Sequence, residues 1–144
     1  MENAALVTSV ILGSLMIFLV IGLIWLVLNI IATWKIFTKA GEPGWKCLIP
    51  FYNQYILYKL TWNTTIFWVW LVMVLAASIL VNFGSSIAWL GTICNLGVMV
   101  IGITGLYKLS KAFGHGVGFT LGLMFLNPIF MMILGFGSDQ YQGK

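Results

Sequence analysis

The spacing of charge along this chain sets the first limit on its fold. No charged residue occurs from Asn3 to Trp34, 32 positions, or from Leu60 to Tyr107, 48 positions. As one helix the first run would extend about 48 Å, more than the roughly 30 Å of a bilayer's hydrocarbon core. The second is too long for one crossing and fits two spans of about 20 residues with a turn between them. Composition agrees: 61% of residues are hydrophobic, 7% are charged and the mean hydropathy is +1.05, whereas about a quarter of residues are charged in soluble domains. The expectation is an all-α integral membrane protein with one membrane domain over residues 1–144.

Four spans are predicted, over about 4–34, 64–81, 86–109 and 117–136, with a turn at Asn82-Phe83-Gly84-Ser85-Ser86. The first is expected to tilt or to project at its Asn29-to-Lys39 end, where polar residues and the anchors Trp34 and Lys35 gather. It is read as retained in the mature protein, since Met1-Glu2-Asn3 lacks the basic start of a signal peptide. In the fourth, Asn127-Pro128 removes a backbone donor and predicts a kink or a break.

Between the first two spans, Gly41 to Lys59 reads GEPGWKCLIPFYNQYILYK. Pro43-Gly44 makes a turn, and Pro50 suits the first position of a short helix to about Leu60. Eleven residues give about 16 Å of helix, too little to cross. An interfacial or shallow re-entrant element is expected over 41–60, with Trp45, Pro50, Tyr52, Asn53 and Tyr55 as its characteristic residues.

The chain has seven lysines, no arginine and three acidic residues. In a soluble protein that balance would suggest nucleic acid; beside apolar spans it points to lipid head groups and away from nucleic acid. Lys35, Lys39, Lys46 and Lys59 are the candidate head-group ligands, each worth about 1 kcal/mol near an anionic surface. These four, Lys108 and Lys111 fall on one predicted side and Lys144 alone on the other. The lysine bias predicts cytoplasmic loops and both termini outside.

Small residues in the third span, Gly91, Gly102 and Gly105 with Asn95, share a face, and Gly118 and Gly122 form a GxxxG pair in the fourth. Close packing of these two spans is expected, since small residues let helix backbones approach in lipid. The same motif also serves contacts between subunits. Asn95 and Asn127 suit hydrogen bonds across helices, or a polar site beside carbonyls freed by Pro128. No carboxylate falls inside a predicted span, which argues against proton coupling through an intramembrane acid.

Catalytic and cofactor signals are weak. His115 stands alone among glycines, whereas a metal site needs several ligands. Ser110-Lys111 are neighbours on a helix end and point in different directions, which disfavours a nucleophile pair. Met124, Met131 and Met132 read as adaptable apolar filler, and Cys47 and Cys94 have no metal-ligand spacing. No cofactor or metal and no enzymatic role is expected.

Gly41-Glu42-Pro43-Gly44-Trp45, Leu48-Ile49-Pro50-Phe51-Tyr52-Asn53 and Tyr55-Ile56-Leu57, followed by Lys59, resemble a GxPGW…LIPxYNxYxLxK signature. It occurs in small bacterial multi-pass membrane proteins of the DUF5684-like group. Leu109-Ser110-Lys111-Ala112-Phe113-Gly114, Ile133-Leu134-Gly135-Phe136-Gly137 and Tyr141-Gln142-Gly143 are also similar to it, with Gly137-Ser138-Asp139 in place of the usual Gly-Asp-Ala run. The resemblance implies the bacterial inner membrane and carries no activity. Relatives of this kind also occur in front of signal peptidase domains, and the stretch ending at Lys144 reads as the membrane module alone.

Three readings follow. The first is a non-enzymatic structural or interaction module that assembles with itself or with a membrane-protein partner. The second is a channel or transporter subunit with a polar site near Asn95 and Asn127. The third, an accessory to a membrane peptidase, rests on the resemblance.

Overall fold

A computed structural model describes residues 2–84 and 86–144, so Ser85 of the expected turn lies outside the described residues. The chain is helical throughout its ordered elements: α1 (Glu2–Lys39), a 3-10 helix (Gly44–Leu48), α2 (Tyr52–Thr61), α3 (Thr64–Asn82), α4 (Ala88–Ala112), α5 (Val117–Phe125) and α6 (Asn127–Phe136). Three of these, α1, α3 and α4, are long and apolar enough to cross a membrane.

α1 and α4 stop in the same way. Gly41, at φ +78°, follows α1, with Glu42 N donating to Phe37 O; Gly114, at φ +80°, follows α4, with His115 N donating to Ser110 O. A left-handed glycine with such a bond is the usual means of satisfying a helix's last carbonyls. α3 is started by Asn63, whose side chain accepts from Thr65 N at 3.2 Å.

The predicted fourth span is not one helix. Leu126 (φ −125°, ψ 43°) separates α5, nine residues, from α6, ten, and Pro128 lies in the first turn of α6. The two form an antiparallel hairpin: Phe119 meets Phe130 edge-on, their centroids 4.8 Å apart, and His115 before α5 meets Asp139 after α6. At about 14 and 15 Å, neither arm reaches across a bilayer. The broken backbone follows from the missing donor of Pro128 and its pressure on the preceding residue.

α6 runs parallel to the last turns of α1. Gly135 makes the contact close, since a Cβ there would stand 2.6 Å from Ala32 O. Ala32, Ile36 and Phe37 are fully buried, joining Ile56, Leu123 and Leu134 in the core. The Asn29-to-Lys39 end is therefore the packed end of α1. Residues 3–13 and 15–27 are exposed throughout.

The tail packs on the ends of α2 and α4. Gln142 N donates to Ala112 O at 2.7 Å, and the Tyr141 hydroxyl donates to Leu60 O. The last residues thus sit at the lysine-bearing end, the opposite end of α1 from Asn3, because the hairpin brings the chain back where a fourth crossing would have carried it over.

Candidate functional site

The polar side chains of the described residues concentrate at the end where α1, α2, α4 and α6 finish. Glu42, just beyond the turn that closes α1, accepts from Lys46 Nζ at 2.6 Å and from Lys59 Nζ on α2. One carboxylate thus ties the 3-10 segment to α2. The hydrogen bonds from Lys46 and then Lys59 hold its carboxyl below the ordinary range, and the bond to Glu42 raises Lys46 in turn.

Lys39 Nζ donates to Leu134 O and, at 2.7 Å, to Gly137 O, capping the carbonyl end of α6. Lys35 lies over the Phe136 ring, 4.6 Å from its centroid. On the other arm, His115 stacks on Phe119 at 4.2 Å, with Nε2 3.0 Å from Asp139 Oδ2 but outside hydrogen-bond geometry. Attraction there requires a protonated ring.

The 41–60 element is a 3-10 segment followed by a helix that starts at Tyr52, with Pro50 in the turn before it. It folds back along α1: Gly44 lies under the Trp34 ring, and the Cys47 thiol points to Ile30 O at 3.7 Å. Burial pushes the Cys47 thiol up. Trp45 and Tyr52 are exposed, and Tyr55 packs edge-on against Phe67 at 5.3 Å. Asn53 lines a cleft of about 510 Å³ with Trp25, Asn29, Thr33, Cys47 and Pro128, and its Oδ1 is buried without a hydrogen-bond partner.

Several residues expected to meet do not. Among the described residues no Cα of α4 comes within 8 Å of one in α6, and Asn95 and Asn127 do not share a site. Asn95 donates only to Gly91 O of its own helix, and Asn127 is exposed at the hairpin tip. The glycines of α4 do allow close approach, but to α3 and α2: a Cβ would stand 2.8 Å from the Val81 side chain at Gly91 and 3.3 Å from the Tyr58 ring at Gly105. Gly122 faces Phe130 of α6, while Gly102 and Gly118 face open space. α4 and α5 do adjoin, but not through these glycines, because the break at Leu126 lets Phe130 of the hairpin partner lie against Gly122.

Cys47 and Cys94 are both free. Among the described residues, no group of three or more His, Cys, Asp or Glu is placed to hold a metal ion.

Three long apolar helices around short, capped ones define a polytopic α-helical membrane protein. Residues 45–144 match the family of unknown function DUF5684, and the chain belongs to that family. No curated protein and no solved structure matches it. The match begins inside the 3-10 segment and leaves α1 outside.

Proposed function

We propose that this is a non-enzymatic interaction module of the bacterial inner membrane, one membrane unit whose contact element is α1. The observation that carries it is the exposure of residues 3–13 and 15–27 of α1, which have no buried position, beside a packed remainder of the same helix. A stretch of spanning helix left exposed by its own chain is available to another copy or to a membrane partner. The test is cysteine crosslinking in native membranes with Gly22→Cys in a background where Cys47 and Cys94 are Ser. Covalent adducts of discrete mass are expected; a chain that remains monomeric at every position tried along α1 overturns the reading.

The lysine bias supports a cytoplasmic lysine-bearing end, with the N-terminus outside and the C-terminus inside. In that orientation 41–61 and α5–α6 are two half-membrane hairpins entering from the cytoplasmic side, and Lys35, Lys39, Lys46 and Lys59 lie at head-group level. A membrane-impermeant maleimide should label Asn3→Cys from outside and leave Lys144→Cys unlabelled until the membrane is opened.

One observation favours a second reading, a channel or transporter subunit with its polar site moved from Asn95 and Asn127 to the cleft of Asn29 and Asn53. The starts of α2 and α6 both border that cleft, and half-helix N-termini in membranes suit polar or anionic groups. A water-soluble thiol reagent that reaches Cys47 in intact membranes supports it, and a protected Cys47 rejects it.

A further inference from the structure

Two of the seven lysines, Lys46 and Lys59, share the Glu42 carboxylate, Lys39 donates to two carbonyls, and Lys35 lies alone over the Phe136 ring. Among the described residues, no carboxylate lies within 4.0 Å of Lys108, Lys111 or Lys144. Lys108 Nζ stands 4.9 Å over the Trp62 ring and Lys111 Nζ 5.6 Å over that of Tyr107, contacts that leave the positive charge uncompensated. The three lysines line one pocket of about 370 Å³ with Thr61 and Gln142.

A second cavity, of about 280 Å³, lies between α2, α3 and α4 and is lined chiefly by apolar groups, among them Leu57, Tyr58, Trp70, Leu106 and Leu109. Thr61 lines both cavities, so they adjoin. Gly102 lies in the wall of the upper one, and a Cβ there would meet nothing within 4 Å. Six residues of α4 separate Gly102 from Lys108, a rise of about 9 Å. A cationic pocket thus adjoins an apolar cleft directed along the membrane-spanning helices.

We propose that this two-part cavity is a binding site for an anionic lipid, with the phosphate on Lys108, Lys111 and Lys144 and one hydrocarbon chain in the cleft beside Tyr58, Trp70 and Gly102. Charge complementarity selects a phosphate carrying net negative charge over a zwitterionic head group. The apolar half selects a chain-bearing molecule over a free phosphate. The inference rests on the reading that the lysine-bearing end lies at the membrane surface.

The full chain in detergent is titrated with phosphatidylglycerol, phosphatidylcholine and glycerol phosphate, with binding followed by native mass spectrometry. Phosphatidylglycerol should bind at least ten-fold tighter than either of the others. Lys108→Gln with Lys111→Gln should weaken it about 25-fold, taking about five-fold per lysine near an anionic surface. Lys46→Gln with Lys59→Gln, which removes lysines that line neither cavity and already contact a carboxylate, should change it less than two-fold. Gly102→Leu fills open space, so it should leave thermal stability unchanged while weakening phosphatidylglycerol at least five-fold. It keeps the proposal testable if the double lysine variant does not fold.

Equal binding of phosphatidylcholine, displacement of the lipid by glycerol phosphate at equal concentration, or unchanged affinity in Gly102→Leu would each overturn the proposal. Such a result with α1 crosslinking intact rejects the lipid site alone. Lys144 labelled from outside rejects the orientation, while binding in detergent remains readable.

Discussion

The two parts of α1 belong to one continuous helix and have opposite circumstances. Asn3 to Val27 touches nothing that buries it, whereas Ala32, Ile36 and Phe37 have no exposed surface at all. The packed end is the more polar of the two, with Asn29, Thr33, Lys35, Thr38 and Lys39, so its burial is not a matter of greater hydrophobicity. The packed half has α6 alongside it, brought there by the break at Leu126 and the return of the hairpin. In lipid an apolar surface gains little from leaving its surroundings, so close backbone approach and hydrogen bonds decide which surfaces pair. Gly135 supplies the first and Lys39 the second.

The largest effect should come from Gly135→Leu. Its Cβ alone would stand 2.6 Å from Ala32 O and 2.7 Å from Ala32 Cα, both backbone, so α1 and α6 must separate. A loss of about 3 kcal/mol is expected, the upper part of the overpacking range, read as a lower unfolding midpoint in detergent. Gly122→Leu, against Phe130, should follow closely, because a ring can shift where backbone cannot.

Lys39→Gln comes next. It removes a charged donor from Leu134 O and Gly137 O, with an expected cost of about 1.5 kcal/mol for hydrogen bonds to a charged group at a half-buried site. Loss of stability together with earlier proteolysis of the tail would tie the effect to the α1–α6 junction. An unchanged midpoint would show that the cap is not what separates the two halves.

A smaller effect, dependent on pH, belongs to Glu42. Its carboxyl is held below its ordinary value of 4.5 by Lys46 and Lys59. A carboxylate depressed in the folded state contributes stability that is complete above the unfolded value and is lost as pH falls through the folded one. Unfolding midpoints measured from pH 7 downward should therefore fall below about pH 4.5 in the native chain, and Glu42→Gln should remove that component of the slope. An identical slope in the variant would show that the triad does not hold 41–61 in place.

The smallest effect sharpens the contrast from the other side. Gly13→Leu, where a Cβ would meet nothing within 4 Å, should leave the midpoint within about 0.5 kcal/mol, as for substitutions away from any packed feature. A large loss there would mean that the exposed half of α1 is already covered by another chain in detergent.

Much of the fold was legible. The charge-free runs hold all of α3 and most of α1 and α4, and the short element after Gly41 is there, starting at Tyr52 two residues beyond Pro50. Asn127-Pro128 marked the break, but not that the chain would turn back after it. The Glu42–Lys46 pair carries the helix-like spacing of four, whereas Lys59 joins it from 17 residues away. Lys108 and Lys111 are three apart on one helix and so share a face, a signal available from spacing. What spacing could not supply is that they, and not Lys46 and Lys59, are left without a carboxylate.

The sequence by itself determined that the chain lives in a bilayer, because transfer from water to lipid accumulates residue by residue and needs no knowledge of neighbours. It determined as well where helices must stop, through Gly41, Gly114 and Pro128, whose backbone limits are local. Only the tertiary structure decided that the last apolar stretch returns as a hairpin, that α4's glycines serve α2 and α3, and which lysines keep their charge free. Those outcomes depend on pairs such as Lys39 with Leu134, 95 residues apart. A contact of that kind is fixed by which surfaces fit closely, a property of two segments together that neither carries alone.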